Sequence, residues 1–331
     1  MTNEELQKIL DAHKLWLEGK GGAPADLRGR ALVSTDLHGA NLSGAYLDKA
    51  NLMSANLKEA NFTGAHLDGA VLDGAQMARA RFNEAIMNGV SMIRAHARDA
   101  SFVHAEMEKA DATEADLRGA DLTRAVMWRV DLTNAELDGA NLRLARLDNA
   151  SAQCASFVGV NLRDAILSAA DLRSADLRAV NLTGAILSGS NMTDVNCYEA
   201  DMTGAELGDT NITGANLSGA KGLIDPVGYL KTQCEKTKEG YIVYKSFGEY
   251  FENPWQVEPG TVIRETVNPF PTVDCGSGIN VGTRGWAKDN CRKPVWRCLI
   301  RWEWLPSVVV PYNTNGKFRT GWLEVLEPVE V

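Results

Sequence analysis

Metal binding and covalent catalysis need imidazoles, thiols and acid–base pairs brought together, and this chain spreads them thinly. Its five histidines are His13, His38, His66, His96 and His104, and none follows residue 104. The last third therefore lacks the imidazole of any Ser–His, Cys–His or His–metal arrangement. That stretch does hold four cysteines, Cys234, Cys275, Cys291 and Cys298, separated by 40, 15 and 6 residues. Structural zinc usually takes at least one Cys-x-x-Cys pair, so this spacing makes zinc the weaker alternative. Gly276-Ser277-Gly278 is too short for a phosphate loop. Lys245, Arg284, Arg297, Arg301, Lys317 and Arg319 alternate with tryptophans, a mixture that stacks on nucleic-acid bases. A Trp-rich core with a basic rim explains the same pattern and is preferred, because residues 220–331 carry a net charge of only +1. No catalytic, cofactor-binding or metal-ligating residue is assigned, and no cofactor is implied.

The elements that would have to position such groups are set by a different signal. From Ala25-Asp26-Leu27-Arg28-Gly29 the chain divides into 39 consecutive pentapeptides, ending at Gly219, without a slip of frame. The central residue of each five is Leu, Met, Phe or Ile, except at Ala97, Ala112, Ala152 and Cys197. The residue two before the centre is Ala in 30 of the 39 fives. A period of five fits neither the 3.6 of a helix nor the 2 of a strand. A short fixed repeat kept this long implies a solenoid whose units bury their apolar faces only by stacking.

Runs such as Ala40-Asn41-Leu42-Ser43-Gly44 and Ala120-Asp121-Leu122-Thr123-Arg124 resemble the A-(D/N)-L-x-x motif of the pentapeptide repeat family. The resemblance implies a right-handed quadrilateral β-helix, four fives to a coil, with the centre and the preceding Ala inward. Twenty residues per coil would stack Phe62, Phe82 and Phe102 in one column, with the small Ala97 in the adjacent column. It would also put His38, His66, His96 and His104 in different columns or several coils apart.

Charge bears on function. The chain carries a net charge of −9, and the 26 acidic and 17 basic residues of 25–219 account for all of it. Family members of the quinolone-resistance type resemble duplex DNA and occupy the DNA site of gyrase, which makes DNA mimicry the alternative function. Assigned to the four faces by position, however, the charge is −3 on three and neutral on the Phe face. Duplex DNA carries about one charge per 1.7 Å, far denser than this average.

The flanks complete the organisation. Thr2 and Glu5 have capping-box spacing, and Leu6, Ile9, Leu10, His13, Trp16 and Leu17 share a face, so residues 3–19 are expected to form a helix covering the open first coil. The N-terminus lacks the apolar core of a signal peptide, and no window is apolar enough to span a membrane; a cytoplasmic location, host cytoplasm for a phage-encoded protein, is the expectation. After Gly219, Asp225-Pro226 starts a short helix and the pattern becomes β: 241–247, 261–267, 279–282, 295–304, 307–312 and 322–326, with Asn315-Gly316 as a hairpin turn. Gly240 to Lys245, Cys275 to Val281 and Pro311 to Arg319 resemble an uncharacterised domain appended to pentapeptide repeats in phage and bacterial proteins. The expected domains are an N-terminal capping helix (1–24), a β-helix (25–220), a linker helix (221–239) and a small antiparallel β domain (240–331). The expected function is a non-enzymatic scaffold: a rigid rod presenting the β domain to a protein partner, phage-associated, with no membrane and no direct nucleic-acid binding. A monomer, or an oligomer held by the tail, and not a rod-to-rod dimer, is expected because both rod ends are taken to be covered.

Overall fold

The computed structural model describes residues 1–222, 226–247, 257–265, 279–291, 294–308, 310 and 317–330. They fall into two compact units, Met1–Gly222 and Leu223–Val331.

The first unit is the quadrilateral β-helix. Isolated parallel bridges join each residue before a centre to its counterpart twenty residues on, unbroken from Asp26↔Tyr46 to Asp201↔Lys221. Within a five, four of the five backbone N–H groups find backbone acceptors. Taking the one centred on Leu47, Leu47 donates to His66 O (2.6 Å), Lys49 to Asp68 O (2.9 Å), Tyr46 to Ala25 O (2.9 Å), and Ala45 closes the corner onto Leu42 O (3.1 Å). The fifth, on the residue after the centre, has none. In many fives the Asp or Asn before the centre accepts it: Asn41 Oδ1 takes Ser43 N–H at 3.2 Å and Asp121 Oδ1 takes Thr123 N–H at 3.0 Å. This is the Asx turn, and it is why the motif asks for Asp or Asn there.

Each corner also needs a residue at positive φ, with values from 52° at Ala179 to 73° at Gly219. Most corner residues are not glycine, and the left-handed region costs an L-residue roughly 1 kcal/mol. The corner holds because its own N–H is tied to the next coil, as Ser34 N–H is to Met53 O at 2.9 Å.

Inside, the centres and the small residues before them are buried. The Phe62, Phe82 and Phe102 rings stack at 4.9 and 5.1 Å, close to the spacing of strands in a sheet. The five before Phe102 is centred on Ala97, and the five before Phe157 on Ala152, so a ring and a methyl share the volume of two larger side chains. Ser190 breaks the pattern: it replaces the small apolar residue, is 1 % exposed, and its hydroxyl has no hydrogen-bond partner.

The first coil is capped by helix α1 (Asn3–Leu17). Its capping box is formed, with Glu5 N–H donating to Thr2 Oγ1 (3.2 Å) and Thr2 N–H to Glu5 Oε2 (2.9 Å). Only Leu6 and His13 of the expected apolar face are buried, while Leu15, Trp16 and Leu17 stay exposed. The helix ends at Leu17, two residues short of expectation, because Gly19 enters the left-handed region. A side chain at Gly22 would collide with the Ala12 carbonyl, so glycine is required where the chain doubles back. His13 Nδ1 accepts the Ala25 N–H at 3.0 Å and thereby caps the first pentapeptide.

The second unit is an antiparallel half-barrel. Its elements are α2 (Pro226–Gln233), β1 (Glu235–Lys236), β2 (Gly240–Ser246), β3 (Val262–Arg264), β4 (Ile279–Gly282), α3 (Arg284–Asn290), β5 (Val295–Arg301), a 3-10 segment Trp302–Ser307, β6 (Lys317–Thr320) and β7 (Trp322–Val329). The sheet order is β3-β7-β5-β2-β4-β6, with β1 also on β2. Tyr241, Val243, Val281, Cys298, Ile300, Phe318 and Val325 pack one face with Leu230 of α2. Ile242, Tyr244, Val295 and Leu299 pack the other against Ala287 and Trp286 of α3.

Several elements differ from expectation. The helix placed over 221–239 is α2, Pro226–Gln233. Lys221 still bridges Asp201 in the last coil, and Thr237 closes a turn by accepting the Glu239 and Gly240 N–H groups, which pairs β1 with β2. The strand expected over 295–304 stops at Arg301, and 302–307 turns as a 3-10 segment around Pro306, which has no N–H to give a sheet. That segment also takes the start of the strand expected over 307–312. Helix α3 and strand β6 were not expected; Thr283, whose hydroxyl accepts Trp286 N–H at 3.3 Å, was the available N-cap signal. Asp225, the Asn315-Gly316 turn, and Cys275 with its Gly-Ser-Gly neighbours lie outside the described residues.

Two predictions follow from the rod. Ser190→Ala removes a buried hydroxyl without a partner and should stabilise the protein by about 1 kcal/mol, seen as a higher urea midpoint. Burial holds the His13 pKa below its ordinary value. The folded state thus resists a proton that the unfolded chain accepts below about pH 6.5, so stability should fall as pH drops from 7 towards 5. Protonated Nδ1 would also face the Ala25 N–H donor to donor. In urea titrations at pH 7 and 5, His13→Gln should flatten this part of the pH dependence; an unchanged slope would remove His13 as its source.

Candidate interaction surfaces

The groups with chemical potential are kept apart or buried. Among the described residues no three His, Cys, Asp or Glu side chains are grouped to hold a metal. Burial pushes the thiols of Cys197, Cys234 and Cys298 up to about 12, far from a nucleophile's range. Cys291 is also raised by burial, and Cys154 stands exposed at a corner. His66 lies tilted at 32° against Tyr46, ring centroids 5.1 Å apart, with the Arg28 guanidinium 5.4 Å from the Tyr46 ring.

The basic and aromatic residues of the second unit form internal contacts. Arg319 is fully buried, and Lys245 is drawn in so that its Nζ donates to Asn280 O at 3.1 Å. Arg297 binds Glu235 (3.0 Å) and Glu327 (3.1 Å), and Arg301 binds Glu324 (2.7 Å). Trp304 and Trp322 stack at 5.8 Å, with Arg301 over one ring (5.9 Å) and Arg264 over the other (4.7 Å). This is a four-layer ladder, Arg–Trp–Trp–Arg, which gives little room for a base to stack. Of the six basic residues noted in the sequence, Arg284 lies with Glu235, Tyr244 and Arg297 around a shallow hollow of about 290 Å³, where acids balance the bases.

On the rod, acidity is largely a consequence of capping. Twelve of its 26 acidic residues accept the otherwise unpaired N–H, nine within their own five and Asp68, Asp73 and Asp138 from the preceding coil. Many also hold an arginine. Asp116 binds Arg118 (2.7 Å) and Arg98 (3.5 Å), and Arg118 reaches Glu136 (3.0 Å). Asp171 and Asp176 bind Arg173 and Arg178, each at 2.7 Å. Hydrogen bonds from Arg118 and Arg173 hold the Asp116 and Asp171 carboxyls below the usual carboxylate range.

One face departs from this rule. The fives centred on Leu27, Leu47, Leu67 and so on to Leu207 make up the first face. Before their centres stand Asp26, Tyr46, His66, Ile86, Glu106, Val126, Arg146, Ile166, Ile186 and Glu206. Only Asp26 caps in its own five there; Asn88 and Glu108 are capped from the coil before by Asp68 and Asn88. Among the described residues, the N–H groups of Asp48, Asp68, Trp128, Asp148, Ser168, Ser188 and Gly208 receive no side-chain cap. The first face gives up a local stabilising contact, coil after coil, for aliphatic and aromatic side chains.

The signature described as pentapeptide repeats matches in eight copies, over residues 25–58, 55–92, 91–129, 129–164, 155–194 and 190–221. The chain belongs to the pentapeptide repeat family. Among pentapeptide repeat proteins of known structure it is similar to HetL of Nostoc sp. strain PCC 7120, which is involved in regulating heterocyst differentiation: 26% identity, 64% of this chain and 97% of HetL covered, TM-score 0.44. QnrB1, a plasmid-mediated fluoroquinolone resistance protein, is 20% identical over 58% of this chain and 88% of its own, TM-score 0.31. A pentapeptide repeat protein of the Arabidopsis thaliana thylakoid lumen is 30% identical over 35% of this chain and 77% of its own, TM-score 0.17. No curated protein matches the sequence.

If the first face is kept apolar for a reason other than stability, restoring the family residue should not harm the fold. Ile166→Asn supplies an Asx cap to Ser168 N–H, worth about 1 kcal/mol, against a partial loss of burial of similar size. Its melting temperature should equal or exceed that of the wild type. A drop of more than about 5 °C would make the aliphatic column a stability device.

Proposed function

We propose that the protein is a non-enzymatic interaction scaffold, phage-associated and acting in the host cytoplasm, in which the β-helix is a rigid element carrying the Leu223–Val331 unit to a protein partner. The observation that carries the reading is how the rod uses its polar groups: carboxylates cap backbone N–H groups and bind arginines of the same or the next coil. The second unit supports a contact role through strand β3, at one end of the sheet order, where Val262 is 48 % exposed beside the inward Ile263. Among the described residues β3 is an edge strand, and an edge with an outward apolar residue suits addition of a partner segment.

The second reading is inhibition of a DNA-binding enzyme such as gyrase by DNA-like charge. One observation favours it: residues 179–219 contain Asp194, Glu199, Asp201, Glu206 and Asp209 and no lysine or arginine. Over two coils, roughly 10 Å, that local density approaches that of a duplex. The five charges are distributed over all four faces, however, while a duplex groove presents its charge to one side.

Two measurements separate the readings. In a supercoiling assay the purified protein should not inhibit gyrase at sub-micromolar concentration. Inhibition that disappears when those five acids are neutralised would replace the scaffold reading with the second. In affinity capture from host lysate, Val262→Asp should lose the partner while Ile166→Asn keeps it. Loss with the rod variant alone would move the contact away from the β unit.

A further inference from the structure

The first face carries a pattern beyond its apolar character. Its outward column reads Tyr46, His66, Ile86, Glu106, Val126, Arg146, Ile166, Ile186, Glu206, one residue per coil, each bridged to the next. About Val126 the column sets opposite charges against each other one coil out and isoleucines two coils out. One coil out stand Glu106 and Arg146, two coils out Ile86 and Ile166, three out His66 and Ile186, four out Tyr46 and Glu206. The columns before the centres of the other three faces are mostly Asn, Asp and Ser and show no such symmetry.

We propose that the chain pairs with a second copy of itself through this face, antiparallel, about a two-fold axis that crosses the rod at Val126. Such an axis, lying in the plane of the face, reverses the order of coils and leaves lateral positions unchanged, so each column lies on its own copy. Glu106 then meets Arg146 of the second copy, and Arg146 meets Glu106, giving two symmetric ion pairs. Ile86 meets Ile166, and the Tyr46 phenol meets the Glu206 carboxylate. In the flanking positions Lys49 meets Asp209, and the two Trp128 indoles face each other beside the axis. Two like-charged meetings arise, and both are compensated within each copy. Glu108 and Asp148 hold Lys109 (2.9 Å) and Arg146 (3.4 Å), and Arg129, opposite itself, is held over the Trp128 ring at 5.2 Å.

Nine coils at strand spacing make a strip roughly 40 Å long and about 15 Å wide, near 600 Å² per copy. The total of about 1,200 Å² is at the lower edge of stable interfaces, which matches a face whose side chains are mostly half-buried. The expectation of a monomer or a tail-held oligomer, with no rod-to-rod dimer, rests on the ends of the rod; pairing through a face uses neither end. The proposal stands whether or not β3 is what a partner contacts.

Sedimentation velocity of the full chain between roughly 1 and 100 µM tests it, since interfaces at this lower size limit belong to weak, transient complexes. The wild type should shift from monomer to dimer across that range. Glu106→Arg and Arg146→Glu, both at exposed positions, should each weaken the dimer about tenfold or more, because each swap opposes like charges twice. The double charge swap should return to within about threefold of the wild type. If either swap lowers the melting temperature, Ile86→Lys gives the same readout opposite Ile166. A monomer throughout, a dimer indifferent to the swaps, or a double variant as weak as the singles overturns the proposal.

Discussion

One unpaired backbone N–H per pentapeptide governs this structure. The parallel coil-to-coil ladder and the corner turn satisfy four donors in every five residues and leave the donor after the centre to a side chain. A buried or half-buried donor without a partner costs about as much as a lost hydrogen bond, and the problem recurs 39 times along 25–219. Asp or Asn before the centre is the local solution. Where that residue is something else, Asp68, Asp73, Asn83, Asn88 and Asp138 reach across from the coil before.

The same constraint explains the electrostatics. A carboxylate serves as well as an amide for capping, so acidity accumulates on the rod as a by-product of backbone satisfaction. Arginines at neighbouring positions then fix the carboxylates in place, as the Arg98–Asp116–Arg118–Glu136 chain does. These pairs are half-exposed and each contributes little to stability. Their effect on recognition is larger, because they leave a mixed surface in place of a uniform field. Net charge alone is therefore a poor guide to partner class in a protein of this construction.

The rod was fully legible in the sequence because every element of its pattern is local or twenty residues away. The centres, the small residues before them and the Phe column follow from the frame, and the helix at the first coil follows from its capping box, though it ends two residues early and buries only Leu6 and His13 of its expected face. The chemistry of the four faces was legible only as charge totals, which hid the difference between a capping aspartate and a free one. The second unit was read less well. Strand β2 and strand β4 announce themselves by β-branched and aromatic runs, but α3 is seven residues of mixed character, and its place is set by Trp286 packing against Gly282. The four basic residues Lys245, Arg297, Arg301 and Arg319 look available in sequence because burial and partners depend on sheet register, which composition does not encode.

A coil of four equal sides has a clock. Deleting one pentapeptide from the middle of the rod would satisfy every rule that acts within a single five. It would nevertheless turn everything downstream by a quarter revolution, and the column running from Tyr46 to Glu206 would jump to a neighbouring side at the junction. Only a change of twenty residues keeps the column straight. A chain whose sides were equivalent could gain or lose fives freely over generations. One with a distinct side can change its length only in whole coils, so the spread of rod lengths among its near relatives would itself report which of the two it is.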